Sequence, residues 1–466
     1  MLTDVIILMQ QELVVTGLLL LLLFLKLVNG VSHSRMLQIS LVLLPLAMFR
    51  ILQGVGQGSL FGGLYISNGL FVIEKVLLLA AVWLLLVLNY DWLEEQAHLP
   101  ELLILVFSSL LGMMLMISSG SLLMFYLGLE LAAIPAAALV NFDLARKSSA
   151  EGAMKMILSG AFASGIMLFG ISLIYGATGT LVFQELSRVL HGDHLTITGF
   201  IFLFSGFAFK LSVVPFHFWT ADVYEGAPAP VAAFLSVVSK AAVSFIFLTV
   251  LFRVFNSFEA WVHPLLMALS VLTLLIGNLF ALRQQQLKRF LAFSSITQVG
   301  FILVAVSSGS TAGTTPVIYF LLVYMFSNLA AFAVVGIIAH QTGKERLDDL
   351  KGLYVNNKFL SWVLVISLFS LAGIPPTAGF FGKLFLILAG ALHASVGFIL
   401  IVALNIMVSL YYYLRLVRAV FIQGQQEPLA KVAVGRVAQW GLVICVIGIL
   451  GIGLFGNIFE WILSHS

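Results

Sequence analysis

Apolar stretches of about twenty residues follow one another through this chain, parted by short polar connections, and they constrain its fold more than any motif does. A helix needs about 20 apolar residues to cross roughly 30 Å of hydrocarbon. A window of that length finds fourteen candidates in the 466 residues, centred near 18, 45, 79, 108, 130, 164, 208, 241, 271, 298, 326, 373, 406 and 450. Hydrophobic residues make up 61% of the chain and charged ones only 9%, so lipid must replace water around most of the surface. The expected fold class is an all-α polytopic membrane protein with about 14 transmembrane helices, a single membrane domain over residues 1–466. The first stretch is longer than a removable signal peptide and lacks its small-residue cleavage site, so it counts as a helix.

A formal charge of +3 is spread thinly along the chain, with no basic run or aromatic-interleaved basic patch, which sets nucleic acid aside as a partner. Cys445 is the one cysteine, allowing no internal disulfide and too few thiolates for an iron–sulfur cluster. No GxGxxG follows a strand, and neither a Walker loop nor HExxH occurs. The chain is therefore expected to bind no cofactor or metal, leaving redox or nucleotide chemistry to a partner. An even helix count puts both termini on one side. Odd-numbered connections carry fourteen Lys and Arg, from Arg35 to Arg436, against Arg50, Arg188 and Arg253 in the even ones, so both termini are expected to face away from the cytoplasm.

Five lysines fall inside helices: Lys75, Lys155, Lys210, Lys240 and Lys383. A charge at the bilayer centre costs at least ~2.5 to 3.5 kcal/mol on insertion scales, so each needs a reason. Lys75 lies about two turns inside its helix and reads as snorkelling to the outer interface, not as a site. Lys155, near the cytoplasmic end of the sixth helix, could also snorkel, or pair with Glu130 at the middle of the fifth. Lys210, Lys240 and Lys383 are too deep for either headgroup layer and are expected to face a polar, hydrated interior.

Each outer member of that trio neighbours a helix break. Pro215 follows Lys210 by five residues, and Gly373-Ile374-Pro375-Pro376 falls just before Lys383. Freed backbone groups at membrane depth are tolerated only against protein or water. The two breaks, in the seventh and twelfth helices, stand 160 residues apart, Pro215 to Pro375. Each is the fourth element of a five-helix block, helices 4–8 (residues 99–254) and 9–13 (residues 260–420). Five is odd, so the second block enters from the opposite side, as in inverted repeats with ion sites on discontinuous helices. Three N-terminal helices (1–95) and one C-terminal helix (436–464) flank the blocks.

"LGLELAAIPAAALV", "EGAMKMILSGAFASGIMLFGISLIYGATG", "FKLSVVPFHFWTADVYEGAPAPVAAFLSVVSK", "NLFALRQQQLKRFLAFSSI" and "SLAGIPPTAGFFGK" occur in order between about residues 100 and 420. With this content and spacing the chain resembles the antiporter-like membrane subunits of bacterial respiratory complex I, the proton-pumping NADH-quinone oxidoreductase. The helix count and the lysine at 383 resemble the N type. The resemblance implies a proton pathway through Glu130, Lys155, Lys210, His217, Lys240 and Lys383, with Ser294, Ser295 and Gln298 as hydration points and Pro215, Pro375 and Pro376 as helix breaks. It also implies the bacterial cytoplasmic (inner) membrane, membrane-arm and peripheral-arm partner subunits, and FMN, iron–sulfur clusters and quinone in those partners rather than in this chain. Two positions depart from the pattern. Gln298 stands where many relatives have histidine, so it can hold water but not take up a proton as a charge. Ala221 replaces a proline in the turn after "VPFH".

At about 7 Å and an effective dielectric of ~20, Glu130 and Lys210 would attract by roughly 2.4 kcal/mol, enough to load or release a proton as their separation changes. "AAIPAAA" and "SGAFASG" read as close helix packing, and Tyr411-Tyr412-Tyr413 as an interfacial belt or subunit contact. The same residues would serve a cation/proton antiporter subunit, which needs no electron donor.

Overall fold

The computed structural model describes residues 2–28, 32–52, 56–309, 311–392, 394–422 and 429–464. Met1 and Ser466, whose side of the membrane the loop charges predict, lie outside them, as does the side chain of Arg50. Among the described residues, twelve helices are long and apolar enough to cross a membrane. The principal helices are α1 (Gln10–Leu27), α2 (His33–Leu52), α3 (Gly69–Leu88), α4 (Leu99–Ile117), α5 (Leu122–Val140), α6 (Lys147–Thr178), α7 (His194–Leu211) and α8 (Phe218–Gly226). They continue as α9 (Ala229–Arg253), α10 (Glu259–Arg283), α11 (Leu287–Val306), α12 (Thr314–Thr342), α13 (Lys358–Ala372), α14 (Ala378–Ala391), α15 (Val396–Phe421) and α16 (Arg436–Leu454). Thirteen of the fourteen expected centres fall inside one of these helices, and the remaining one, residue 373, falls at the junction of α13 and α14.

Small residues set how closely the helices approach. A Cβ added to Gly112 of α4 would lie 2.4 Å from the backbone nitrogen of Ala132 on α5, and one on Gly128 would lie 2.7 Å from that of Met116. Gly170 of α6 and Gly199 of α7 meet in the same way. In lipid, where apolar burial between helices gains little, such backbone contact is a main source of association. At the bundle centre α9 and α11 are almost wholly enclosed, whereas α1, α6 and α15 turn most of their surface outward.

Both expected breaks are present and close alike. α7 ends at Leu211; Ser212 takes the left-handed conformation (φ 65°), and the next amide, Val213, donates to Ala208 O at 2.8 Å. α13 ends at Ala372; Gly373 is left-handed (φ 85°), and Ile374 N donates to Phe369 O at 2.9 Å. This is the pattern by which a helix end ties down its last carbonyls. The Val214–Pro215 and Pro375–Pro376 bonds are cis.

A short hairpin lies between α2 and α3, where no apolar stretch predicts it. Gly58–Leu60 (β1) pairs antiparallel with Tyr65–Ser67 (β2) through Gly62 and Gly63, both at positive φ, and closes one end of the bundle. The alternating short run around two glycines carried that signal, but apolar windows of twenty residues pass over it. At the opposite end, polar side chains of α6, α8 and α11 form an ion-pair network. Lys155 binds Glu151 and Asp222, both at 2.7 Å, and Arg289 binds Asp222 and Glu225, both at 2.7 Å.

Candidate functional site: a buried lysine axis

Lys210 is the penultimate residue of α7, and Glu130 sits midway along α5. Both line one cavity of about 320 Å³, together with Ser164, Trp219 and Ser239. Glu130 Oε1 is buried with no hydrogen-bond partner in the protein. Around it the break is well satisfied. Trp219 Nε1 donates to Phe209 O at 3.0 Å, Thr220 Oγ1 donates to Ser212 Oγ at 2.7 Å, and Val214 N donates to Thr273 Oγ1 at 3.1 Å. His217 is buried at the start of α8, its Nδ1 also without a partner.

Ser239, on the cavity wall, precedes Lys240. The Leu235–Ser239 turn of α9 is wound as a π-helix, a feature frequent at functional sites. Lys240 Nζ donates to Ser295 Oγ of α11 at 2.9 Å and lies 5.8 Å from the Tyr224 ring centroid. One turn earlier, Ser236 bonds the Tyr324 hydroxyl at 2.9 Å and accepts from Asn328 Nδ2 at 2.8 Å.

Lys383 uses the second break directly. Its Nζ donates to Leu371 O at 2.7 Å and Ala372 O at 3.1 Å, two carbonyls left free by the end of α13, and it faces the Phe301 ring at 4.8 Å. Gln298 Nε2 donates to the same Leu371 O at 3.2 Å and to the Tyr413 hydroxyl at 3.0 Å. Tyr413 in turn shares a 2.5 Å bond with Ser294. Ser294 and Ser295 are adjacent, so one turn of α11 touches the surroundings of both Lys240 and Lys383.

Three expectations need correction. Lys155 pairs not with Glu130 but with Glu151 and Asp222, because it is only two turns into α6 and its side chain is 42% exposed at the network end. Tyr412 and Tyr413 are not interfacial: both are fully buried and only Tyr411 faces outward, as successive residues on a helix must diverge by about 100°. Lys75 does not snorkel. It is fully buried and bridges Glu12 of α1 at 2.6 Å. Lys288, one of the loop charges counted from the sequence, is 3% exposed and donates at 3.0 Å to the carbonyl oxygen of Ala227, the first residue of Ala227-Pro228-Ala229-Pro230. Asn328 and Tyr324 carry no signal in the sequence, being single polar residues in apolar runs with no spacing to mark them.

Lysines seated against two broken helices in a many-helix bundle define a membrane protein of antiporter type, and the chain belongs to that family: the family model described as "NADH:quinone oxidoreductase/Mrp antiporter, TM" matches residues 119–409. Among particular proteins, the chain is 44% identical over 414 residues to NADH-quinone oxidoreductase subunit N of Azobacteroides pseudotrichonymphae, covering 88% of this chain and 86% of that protein. It is 44% identical over 407 residues to the subunit N of Phocaeicola vulgatus, covering 86% of each. Its structure is similar to a chain of respiratory complex I from Thermus thermophilus with bound aureothin, at TM-score 0.84 and 31% identity, covering 96% of this chain and 98% of that one.

Proposed function

We propose that this chain is a proton-translocating membrane-arm subunit of an NADH-quinone oxidoreductase, in the bacterial inner membrane. Electron transfer from NADH to quinone, with its FMN and iron–sulfur clusters, belongs to partner subunits, and this chain alone has no enzymatic activity. The 44% identity to two subunits N over most of the chain supports the family role. The observation that carries the mechanism is Lys383 resting on the freed carbonyls of Leu371 and Ala372 while Gln298 joins one of them to Tyr413 and Ser294.

In this reading Lys210 takes up a proton at Nζ when the Glu130 carboxylate is close, and releases it when that charge withdraws within their shared cavity. Lys240 receives it and, through Ser295 and Ser294, hands it along the polar turn of α11. Lys383 is the last carrier, with the carbonyls of α13 stabilising its ammonium form. His217 stands beside the first break as a further group able to exchange a proton. Gln298 orders the route without charging. Fourteen crossings, two inverted five-helix repeats over 99–254 and 260–420, and both termini on the non-cytoplasmic side complete the proposal.

The test is proton uptake per electron in proteoliposomes containing the assembled complex. Lys210→Ala and Lys210→Arg should both assemble and lose most redox-driven uptake, because arginine keeps the charge but does not release a proton near neutral pH. Full pumping by Lys210→Ala would remove Lys210 from the pathway. Cation/proton exchange without any electron donor would favour an antiporter assembly instead.

A further inference from the structure

We propose that Glu12, Tyr65 and Lys75 form a second proton-holding site, apart from the Lys210–Lys240–Lys383 axis, under the hairpin that closes one end of the bundle. The inference rests on the reading of this chain as a proton carrier.

Three elements far apart in sequence bring the groups together. Glu12 comes from α1, Tyr65 from β2 and Lys75 from α3; all three are 2% exposed or less. Lys75 Nζ meets Glu12 Oε1 at 2.6 Å and donates to the Tyr65 hydroxyl at 3.1 Å. That hydroxyl lies 3.1 Å from Glu12 Oε1 and 3.1 Å from Leu8 O. It can accept from the ammonium and donate to the carboxylate at once, which is the arrangement of a relay.

A mere staple between α1 and α3 needs only the ion pair. Here the pair is embedded in spare polar capacity. Glu12 Oε2 and Glu74 Oε2 are buried without a hydrogen-bond partner, and the Ser118 hydroxyl lies against Tyr65. Glu74 lies within electrostatic reach of Arg253 on α9 and of Lys75. Glu12 and Glu74 are both buried, whereas of the two cations near them Lys75 is buried and Arg253 is exposed, so one more proton on a carboxylate relieves a buried charge whose partner lies outside. The place also fits. Ser118 caps α4 two residues after Met116, which lines the Glu130–Lys210 cavity, so the end of α4 touches the surroundings of both sites.

The step is a proton exchange and balances without a redox partner. Lys75 gives an N–H proton to the Tyr65 oxygen while the Tyr65 O–H proton passes to Glu12, leaving a neutral amine, a phenol and a carboxylic acid. Loss of the Glu12 proton toward the hairpin end, and arrival of one at Lys75 from the cavity side, completes one transfer.

Tyr65→Phe is the decisive variant, because it keeps the ring and the ion pair and removes only the relay oxygen. Lys75→Arg keeps the pair and its charge. Proton uptake per electron is measured in the assembled, NADH-oxidising complex, with Lys210→Ala alongside. Reduced uptake by Tyr65→Phe at normal assembly, with Lys75→Arg reduced wherever it assembles, supports the site. Full uptake by Tyr65→Phe, or by assembled Lys75→Arg, while Lys210→Ala is deficient overturns it and leaves the pair a staple. Full uptake by Lys210→Ala as well would mean that the proton-carrier reading itself has failed.

Discussion

Lys383 and Gln298 both donate to the carbonyl of Leu371, and that shared acceptor makes the pair separable by mutation. Gln298→Ala should leave Lys383 in place but disconnect Tyr413, lowering proton uptake per electron with little loss of assembly. Gln298→His should keep uptake near normal, since imidazole can also bridge by hydrogen bonds and can additionally carry a proton. A second residue-scale expectation concerns Trp219. Trp219→Phe removes one of two donors to Phe209 O, leaving the Ser212 amide at 3.0 Å, and should destabilise the purified complex by about 0.5–1.5 kcal/mol, the net worth of one hydrogen bond, measured as a lower unfolding midpoint. Much at this scale was legible: Lys210, Lys240 and Lys383 stand out because a deep lysine has no cheap explanation. Lys75 was misread because depth along one helix says nothing about Glu12, 63 residues earlier, and the pairing exists only once α1 packs on α3.

At the scale of elements, the broken helices were legible from proline and glycine, but the way their ends are sealed was not. Ser212 gives no hint in sequence that it will turn left-handed, whereas Gly373 does. Gly379 shows why the second break tolerates so little. A Cβ there would lie 1.8 Å from Ser370 O, so Gly379→Ala must push α14 away from α13 and draw Lys383 off its carbonyls. That variant should assemble poorly or pump weakly, and a fully active Gly379→Ala complex would show that the α13–α14 approach is not required. Lys288 escaped notice for a related reason. It opens α11 and reads as a loop charge, until the Ala227 carbonyl, 61 residues away, folds onto it.

For the whole molecule, composition and apolar length were enough to state an all-helical membrane protein, because lipid permits few other backbones. Orientation still rests on loop charge alone. Labelling of tags at both termini from the non-cytoplasmic face, and of a tag at Glu345 from the cytoplasm, is the expected outcome; the reverse pattern would invert the topology. A further consequence lies in the length of α6. Its apolar part, residues 156–178, spans about 35 Å at 1.5 Å each, a few ångströms beyond roughly 30 Å of hydrocarbon, while the polar first turns from Lys147 to Lys155 extend further. Hydrophobic mismatch of this size is absorbed by tilt, and the N-terminal end of α6 is tied through Lys155 and Asp222 to α8, the segment just past the Lys210 break. Bilayer thickness thus has a mechanical handle on the first lysine: a change in lipid acyl length alters the lean of α6, and the lean is transmitted to the helix that holds one wall of the Glu130 cavity.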